Sequence, residues 1–168
     1  MAWQDKKNAV LADSCYCDNQ LAAQDVSVTL PAVNFLTSEV NAMGTLEIIL
    51  PGLIEAMEAT ITKVGIDRGL SRMMTPQKHN FEFRWAQNVL KGDGTTAPEG
   101  CKAFVTGVPK GIPGFGLEIG SNIEGEVALG VSRYQLFVGG TEICCIDKLS
   151  QICRINGVDY YSKIASLL

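Results

Sequence analysis

Apolar and polar residues alternate through much of this chain, and the longest alternating stretch is broken by two adjacent glycines. Glu126 to Val138 and Thr141 to Asp147 are β-rich runs on either side of Gly139-Gly140. Paired glycines supply the positive φ angles that a two-residue hairpin turn demands, so the spacing predicts a long hairpin. Strict alternation puts Ala128, Ser132, Tyr134, Leu136 and Val138 on one face of its first arm, and Val127, Leu129, Val131, Arg133, Gln135 and Phe137 on the other. Neither face is purely polar. Such a strand wants a core on one side and a second surface, for instance another subunit, on the other.

The same period of two runs from His79 to Lys91, with Phe81, Phe83, Trp85, Gln87 and Val89 on one face. Shorter strands are predicted at Val10–Tyr16, Asp25–Leu30, Thr45–Leu50 and Cys101–Thr106. The first two read as an opening hairpin around the turn Asp18-Asn19-Gln20, with Pro31 stopping the second, and Pro51-Gly52 reads as a turn after the third. Leu53–Lys63 is helical by propensity, but its β-branched end, Thr60-Ile-Thr-Lys-Val64, favours a strand. Asp67 is placed to cap a short helix, Arg68–Met74, ended by Thr75-Pro76. A closing helix from Tyr160 has Tyr160, Ile164 and Leu167 on one side and Asp159 as its cap. Two stretches resist assignment: Ala32–Gly44, which has no clean period, and the glycine- and proline-rich Gly107–Gly120. A loop as long as the first inside a compact domain is usually functional, the alternative being a plain surface connection.

At 168 residues the chain suits a single domain, 1–168. Apolar residues make up 46% and charged ones only 19%, an excess that self-association would hide and that an ordinary apolar globule would also show. The net charge is −4 with no basic block, so nothing is built to grip nucleic acid by its phosphates. The apolar run Leu46–Ile54 is short and interrupted by Glu47, Pro51 and Gly52, which excludes a membrane anchor of the helical kind. Met1–Lys7 leads into only a brief apolar run before Asp13 and so is no secretion signal, which implies retention in a cytoplasm until assembly or lysis. The six cysteines, Cys15, Cys17, Cys101, Cys144, Cys145 and Cys153, lack a recognised zinc spacing. They read as small buried side chains, with disulfides formed after release and metal ligation as the alternatives.

Candidate chemistry is sparse. The one histidine, His79, heads a strand, where it reads as a structural residue and not a base. Gly114-Phe-Gly116 lacks the third glycine and the following helix of a dinucleotide fingerprint, and no phosphate loop or nucleophile elbow is present. Glu55 and Glu58 would face opposite sides of a strand. No catalytic residue, cofactor site or metal site is assigned.

The order of long strand, Gly-Gly turn, Glu142-Ile-Cys-Cys-Ile-Asp147, Ile155-Asn-Gly-Val-Asp159 and terminal helix resembles the major tail tube protein family of contractile-tailed bacteriophages, including phage-tail-like contractile bacteriocins. Ser27-Val-Thr-Leu-Pro31, the Met43-Gly44 pair and Glu55-Ala-Met-Glu-Ala-Thr60 leading into a strand follow the same order, so the resemblance covers most of the chain and is weakest from Gly65 to Asn122. It implies an antiparallel β-barrel or sandwich with a short mid-chain helix and a C-terminal helix. It further implies six-membered rings that stack into a tube, with the sheath, baseplate, tail terminator and tape-measure proteins as partners. DNA would pass through the bore unbound in a phage, and the particle would be assembled in the host cytoplasm. The Ala32–Gly44 segment corresponds to an arm reaching a neighbouring subunit, which makes Asn34, Phe35, Leu36, Thr37, Glu39 and Met43 interface candidates. A bore that passes a polyanion without holding it needs acidic or neutral walls, and Glu82, Glu126 and Glu142 are candidates for them. The alternatives are the tube subunit of a cell-encoded contractile secretion system and a small β-barrel that binds a ligand inside.

Overall fold

A computed structural model describes residues 3–168; of the Met1–Lys7 stretch, Met1 and Ala2 therefore lie outside the described residues. The chain is mostly β. In order it forms β1 (Lys6–Cys17), β2 (Gln20–Gln24), β3 (Ser27–Thr29), β4 (Phe35–Asn41), β5 (Thr45–Ile54), β6 (Met57–Val64), α1 (Arg68–Met73), β7 (His79–Leu90), β8 (Thr96–Pro109), β9 (Glu124–Val138), β10 (Thr141–Asp147), β11 (Ile152–Ile155), β12 (Val158–Asp159) and α2 (Ser162–Ala165). Ten strands make one antiparallel sheet ordered β12-β11-β10-β9-β8-β7-β1-β2, with β6 added on β9 and β3 on β6. β4 and β5 pair only with each other.

β9 is the spine of the sheet. One of its edges is covered by β8 from Leu129 to Val138. The other edge carries β6 along Glu124–Val131 and then β10 along Arg133–Val138. The handover falls at Ser132, which is a bulge: Thr106 pairs with Arg133 while Gly107 pairs with Val131. An extra residue reverses the alternation beyond it. The core therefore takes Val127, Leu129 and Val131 before the bulge but Tyr134 and Leu136 after it. The two faces expected from uninterrupted alternation are thus corrected, each strand face being half of one and half of the other. Gly139 and Gly140, at φ 57° and 81°, form the expected turn into β10.

Core side chains come from every part of the large sheet: Cys15 and Cys17 of β1, Ile61 of β6, Phe81 and Phe83 of β7, Val105 of β8, Ile146 of β10 and Cys153 of β11. Burying each large aliphatic or aromatic group is worth roughly 1.5–3 kcal/mol, so this shared core is what holds the strands in one body. α1 closes one side. Asp67 caps it by accepting the Leu70 N–H at 2.9 Å, and Leu70 and Met73 are fully buried. Buried Lys63 donates to the Ala22 carbonyl at 3.2 Å and pairs with Asp67 at 2.5 Å, tying β6, β2 and the helix start together. Gly69 has no room for a side chain there: a Cβ would stand 2.0 Å from the Ala22 carbonyl oxygen.

Several sequence expectations shift. β1 pairs with β2 across Asp18-Asn19, so the opening hairpin uses Gln20–Gln24, and the Asp25–Leu30 run contributes β3, which pairs with β6 instead. β8 begins at Thr96 and runs to Pro109, well beyond Cys101–Thr106. Leu53–Lys63 does yield a strand, β6. Pro51-Gly52 is no turn: β5 runs through it, with Leu36 paired to Leu50 and Phe35 to Ile54, so Pro51, Gly52 and Leu53 bulge out between them. The closing helix is a single turn, Ser162–Ala165, with Tyr161 as its N-cap. Asp159 instead accepts the Tyr161 N–H at 2.9 Å, and of the predicted apolar face Tyr160 and Ile164 are partly covered while Leu167 stays 85% exposed.

Candidate functional site

The stretch without a clean period, Ala32–Gly44, contains not a loop but the first strand of a projecting hairpin. β4 and β5 turn at Met43 and Gly44, with φ 48° and 116°. At the base the hairpin is fastened to the body: Phe35 and Ile54 pack against the core, the Asn34 carbonyl accepts from Glu55 N–H at 2.9 Å, and Lys148 donates to the Glu55 carbonyl at 2.9 Å. Above the base it has two unlike faces. Directly opposed residues share a face, so Leu36 with Leu50, Ser38 with Ile48 and Val40 with Leu46 make one side. The other side carries Thr37 with Ile49, Glu39 with Glu47 and Asn41 with Thr45.

The first side is an aliphatic surface partly open to solvent. Leu36 is 40% exposed, Val40 43%, Leu46 51% and Ile48 39%. On the second, two carboxylates stand directly opposite, and among the described residues neither is in an ion pair. Like charges in that register are destabilising, and they are tolerable only where water or space surrounds them.

The interface candidates divide accordingly. Leu36 belongs to the aliphatic side, Thr37 and Glu39 to the acidic side, Phe35 and Asn34 to the anchored base, and Met43 to the exposed tip. Val40, Leu46, Ile48 and Leu50 were missed. Leu46, Ile48 and Leu50 do alternate in the sequence, and only the pairing with β4 reveals the second half of their surface. Of the bore candidates, Glu82 is paired with Arg84 at 2.6 Å. Glu142 pairs with Arg154 at 2.6 Å and accepts from Gln135 at 2.8 Å; the guanidinium holds its carboxyl below the usual range. Glu126 is exposed on β9.

A second unsatisfied feature lies on β1. β7 covers one edge of this strand, whereas β2 covers the other only from Ser14 to Cys17. Residues from Lys6 to Asp13 therefore present unpaired backbone groups, with Val10 62% and Leu11 56% exposed. Beside them a groove of about 270 Å³ is lined by Val10, Val26, Val28, Leu30, Phe83 and Trp85 among others. An open strand edge next to an apolar groove is the usual acceptor for an added strand.

The residues considered for chemistry are engaged elsewhere. Glu58 is ion-paired with Lys110, and the Glu55 backbone fastens the hairpin base. His79 is 1% exposed, with Nδ1 2.6 Å from Asp18 Oδ2 and Nε2 3.1 Å from the Thr75 carbonyl oxygen. Asp18 also accepts the Asn80 N–H at 3.0 Å, and that bond, followed by His79, lowers its pKa. All six cysteines are free thiols, five of them buried. Burial, before any neighbouring charge, pushes both Cys15 and Cys17 up to about 12. No helix among the described residues is long and apolar enough to cross a membrane.

Two solved chains of an extracellular contractile injection system share this fold. One comes from the PVC sheath-tube complex in the extended state, with TM-score 0.51 and 12% identity, covering 75% of this chain and 88% of that one. The other comes from the PVC sheath/tube terminator in the extended state, with TM-score 0.52 and 14% identity, covering 77% and 96%. No curated protein sequence matches the chain significantly. At these identities the likeness is one of fold alone. The family model for phage tail tube protein FII matches residues 8–168, and the chain belongs to that family. It is a structural subunit of a contractile tail tube, as the resemblance at both ends of the sequence implied.

Proposed function

We propose that copies of this chain join by laying the aliphatic side of the β4–β5 hairpin against the open β1 edge and groove of a neighbouring copy. The observation that carries this reading is the pairing register of the hairpin, which collects Leu36, Val40, Leu46, Ile48 and Leu50 on one side, four of them 39–51% exposed. A surface of that kind left in water is an aggregation liability, and repeated docking between identical copies turns it into a continuous wall. Donor and acceptor are different surfaces, so the contact is head-to-tail and repeats. Closed into six-membered rings and stacked, it gives a tube whose length a tape-measure protein sets and whose end a terminator protein closes.

The acidic side then faces the bore. Among the described residues Glu39 and Glu47 have no cation partner, whereas Glu82 and Glu142 are already balanced by arginines. Unpaired carboxylates repel phosphates, which lets DNA pass without sticking in a phage; in a bacteriocin the same wall would carry no genome. Sheath and baseplate contacts fall to the outer surface. The role is mechanical and not catalytic.

Cysteine cross-linking tests the docking. One pool carries Val10→Cys and another Leu46→Cys, and the two are mixed under assembling conditions with a short bifunctional thiol reagent. Dimers formed only in the mixture, and only on assembly, are the expected result. Equal cross-linking of either pool alone, or none in tubes that do form, would place the hairpin elsewhere.

A further inference from the structure

Where the β1–β2 turn meets the first residue of β7, three different metal-binding groups converge. Cys17 Sγ lies 3.8 Å from Asp18 Oδ2, Asp18 Oδ2 lies 2.6 Å from His79 Nδ1, and the three donor atoms all fall within 4.8 Å of one another. We propose that Cys17, Asp18 and His79 form a zinc site that pins the β1–β2 turn to the start of β7.

Donor chemistry selects the metal. One sulfur, one imidazole nitrogen and one carboxylate oxygen suit zinc, whereas calcium and magnesium take oxygen ligands. A thiolate and a carboxylate also cancel the two charges of the ion. That balance matters because Cys17 and His79 are essentially without solvent contact.

The geometry needs only small adjustment. Around a tetrahedral zinc with bonds of about 2.0–2.3 Å, neighbouring donor atoms stand roughly 3.3–3.6 Å apart. The Asp18 to His79 separation must open by about 0.7 Å, and the thiol must draw slightly closer to the carboxylate. Asp18 is the member able to move, since it sits in the turn at φ 50° with its side chain 41% exposed. Solvent reaches the site on its side, leaving the fourth position to water and providing the way in.

Two outer contacts favour a bound metal. His79 Nε2 faces the Thr75 carbonyl at 3.1 Å, so it carries a hydrogen; the 2.6 Å contact of Nδ1 with Asp18 Oδ2 holds a proton of its own, and losing that proton leaves the Nδ1 lone pair for the ion. The free carboxylate oxygen, Oδ1, is held by Asn80 N–H at 3.0 Å. Imidazole and carboxylate are thus both oriented by backbone groups, as metal ligands commonly are. On binding, the thiol proton is released to solvent together with any proton shared between Asp18 and His79, because coordination deprotonates a thiol outright.

Cobalt substitution reads the site directly. The full chain, first dialysed against a chelator, is titrated with Co²⁺ and then with Zn²⁺. The expected result is a sulfur-to-cobalt charge-transfer band saturating at one ion per chain, bleached by zinc, absent in Cys17→Ser and unchanged in Cys144→Ser. Asp18→Asn, confined to an exposed turn, keeps the fold and should weaken binding about tenfold or more, so it serves if the core variant does not fold. No charge-transfer band in the wild-type chain, or equal cobalt affinity in folded Asp18→Asn, would overturn the assignment.

Discussion

Replacing Leu46 and Ile48 together by threonine should leave the subunit folded and make it a poor builder of tubes. Both side chains point away from the core, at 51% and 39% exposure, and threonine keeps the β-branched preference for a strand. Fully burying a leucine or isoleucine is worth about 1.5–3 kcal/mol relative to full exposure, so taking these half-exposed groups out of water contributes roughly 1 kcal/mol each. The double variant then loses about 2 kcal/mol at every contact it donates, equivalent to a rise of about 25-fold in the concentration at which assembly begins. Pelleting across a dilution series measures that threshold, and thermal unfolding of the dilute subunit measures the fold. An unchanged threshold would remove the aliphatic side of the hairpin from the interface. A collapse of the monomer's melting temperature would show instead that those side chains support the subunit itself.

Two further outcomes follow from the packing around α1. Gly69→Ala places a methyl 2.0 Å from the Ala22 carbonyl oxygen, and since backbone must shift to admit it, urea unfolding should show a loss of about 1–3 kcal/mol despite alanine's better helix propensity. Asp67 has its pKa lowered, first by the Lys63 ammonium and then by the Leu70 N–H. A depressed folded pKa means the stabilisation is fully present above the ordinary value of 3.8 and is lost as pH falls through the folded one. Asp67→Asn should therefore be less stable than the wild type at pH 7, by under about 1 kcal/mol given the 56% exposure of the Asp67 side chain, and the urea midpoints of the two should converge as pH falls below 3.8 through the depressed folded value. A difference that persisted in acid would assign the effect to the cap hydrogen bond and not to charge.

What could be read from the residues, and what could not, divides along physical lines. Gly139-Gly140 announced its turn because few other residues accept two positive φ angles in succession. The phenylalanines of β7 announced a buried face because a strand half in the core must alternate. The bulge at Ser132 left no such mark: one extra residue reverses the faces of β9 without altering the local composition. β4 was opaque for a different reason. A strand that gives only its first residue, Phe35, to its own chain's core carries no core pattern, and its aliphatic side is split between two strands that become one surface only in register. The interface candidates drawn from the resemblance accordingly lie on both sides of one hairpin and at its base. The Cys17, Asp18 and His79 cluster was hidden by distance along the chain, since metal spacing rules look for ligands close together in sequence.

The central claim is that the hairpin of one copy supplies what the open β1 edge of another lacks. A cryo-electron microscopy reconstruction of the polymerised chain tests it most directly. The expected map shows stacked rings in which Leu36, Val40, Leu46 and Ile48 are buried against the residues around Val10 of a neighbouring copy, with Glu39 and Glu47 turned to an open bore. Tubes in which the aliphatic side of the hairpin remains in solvent, or a chain that stays monomeric at every concentration, would contradict it.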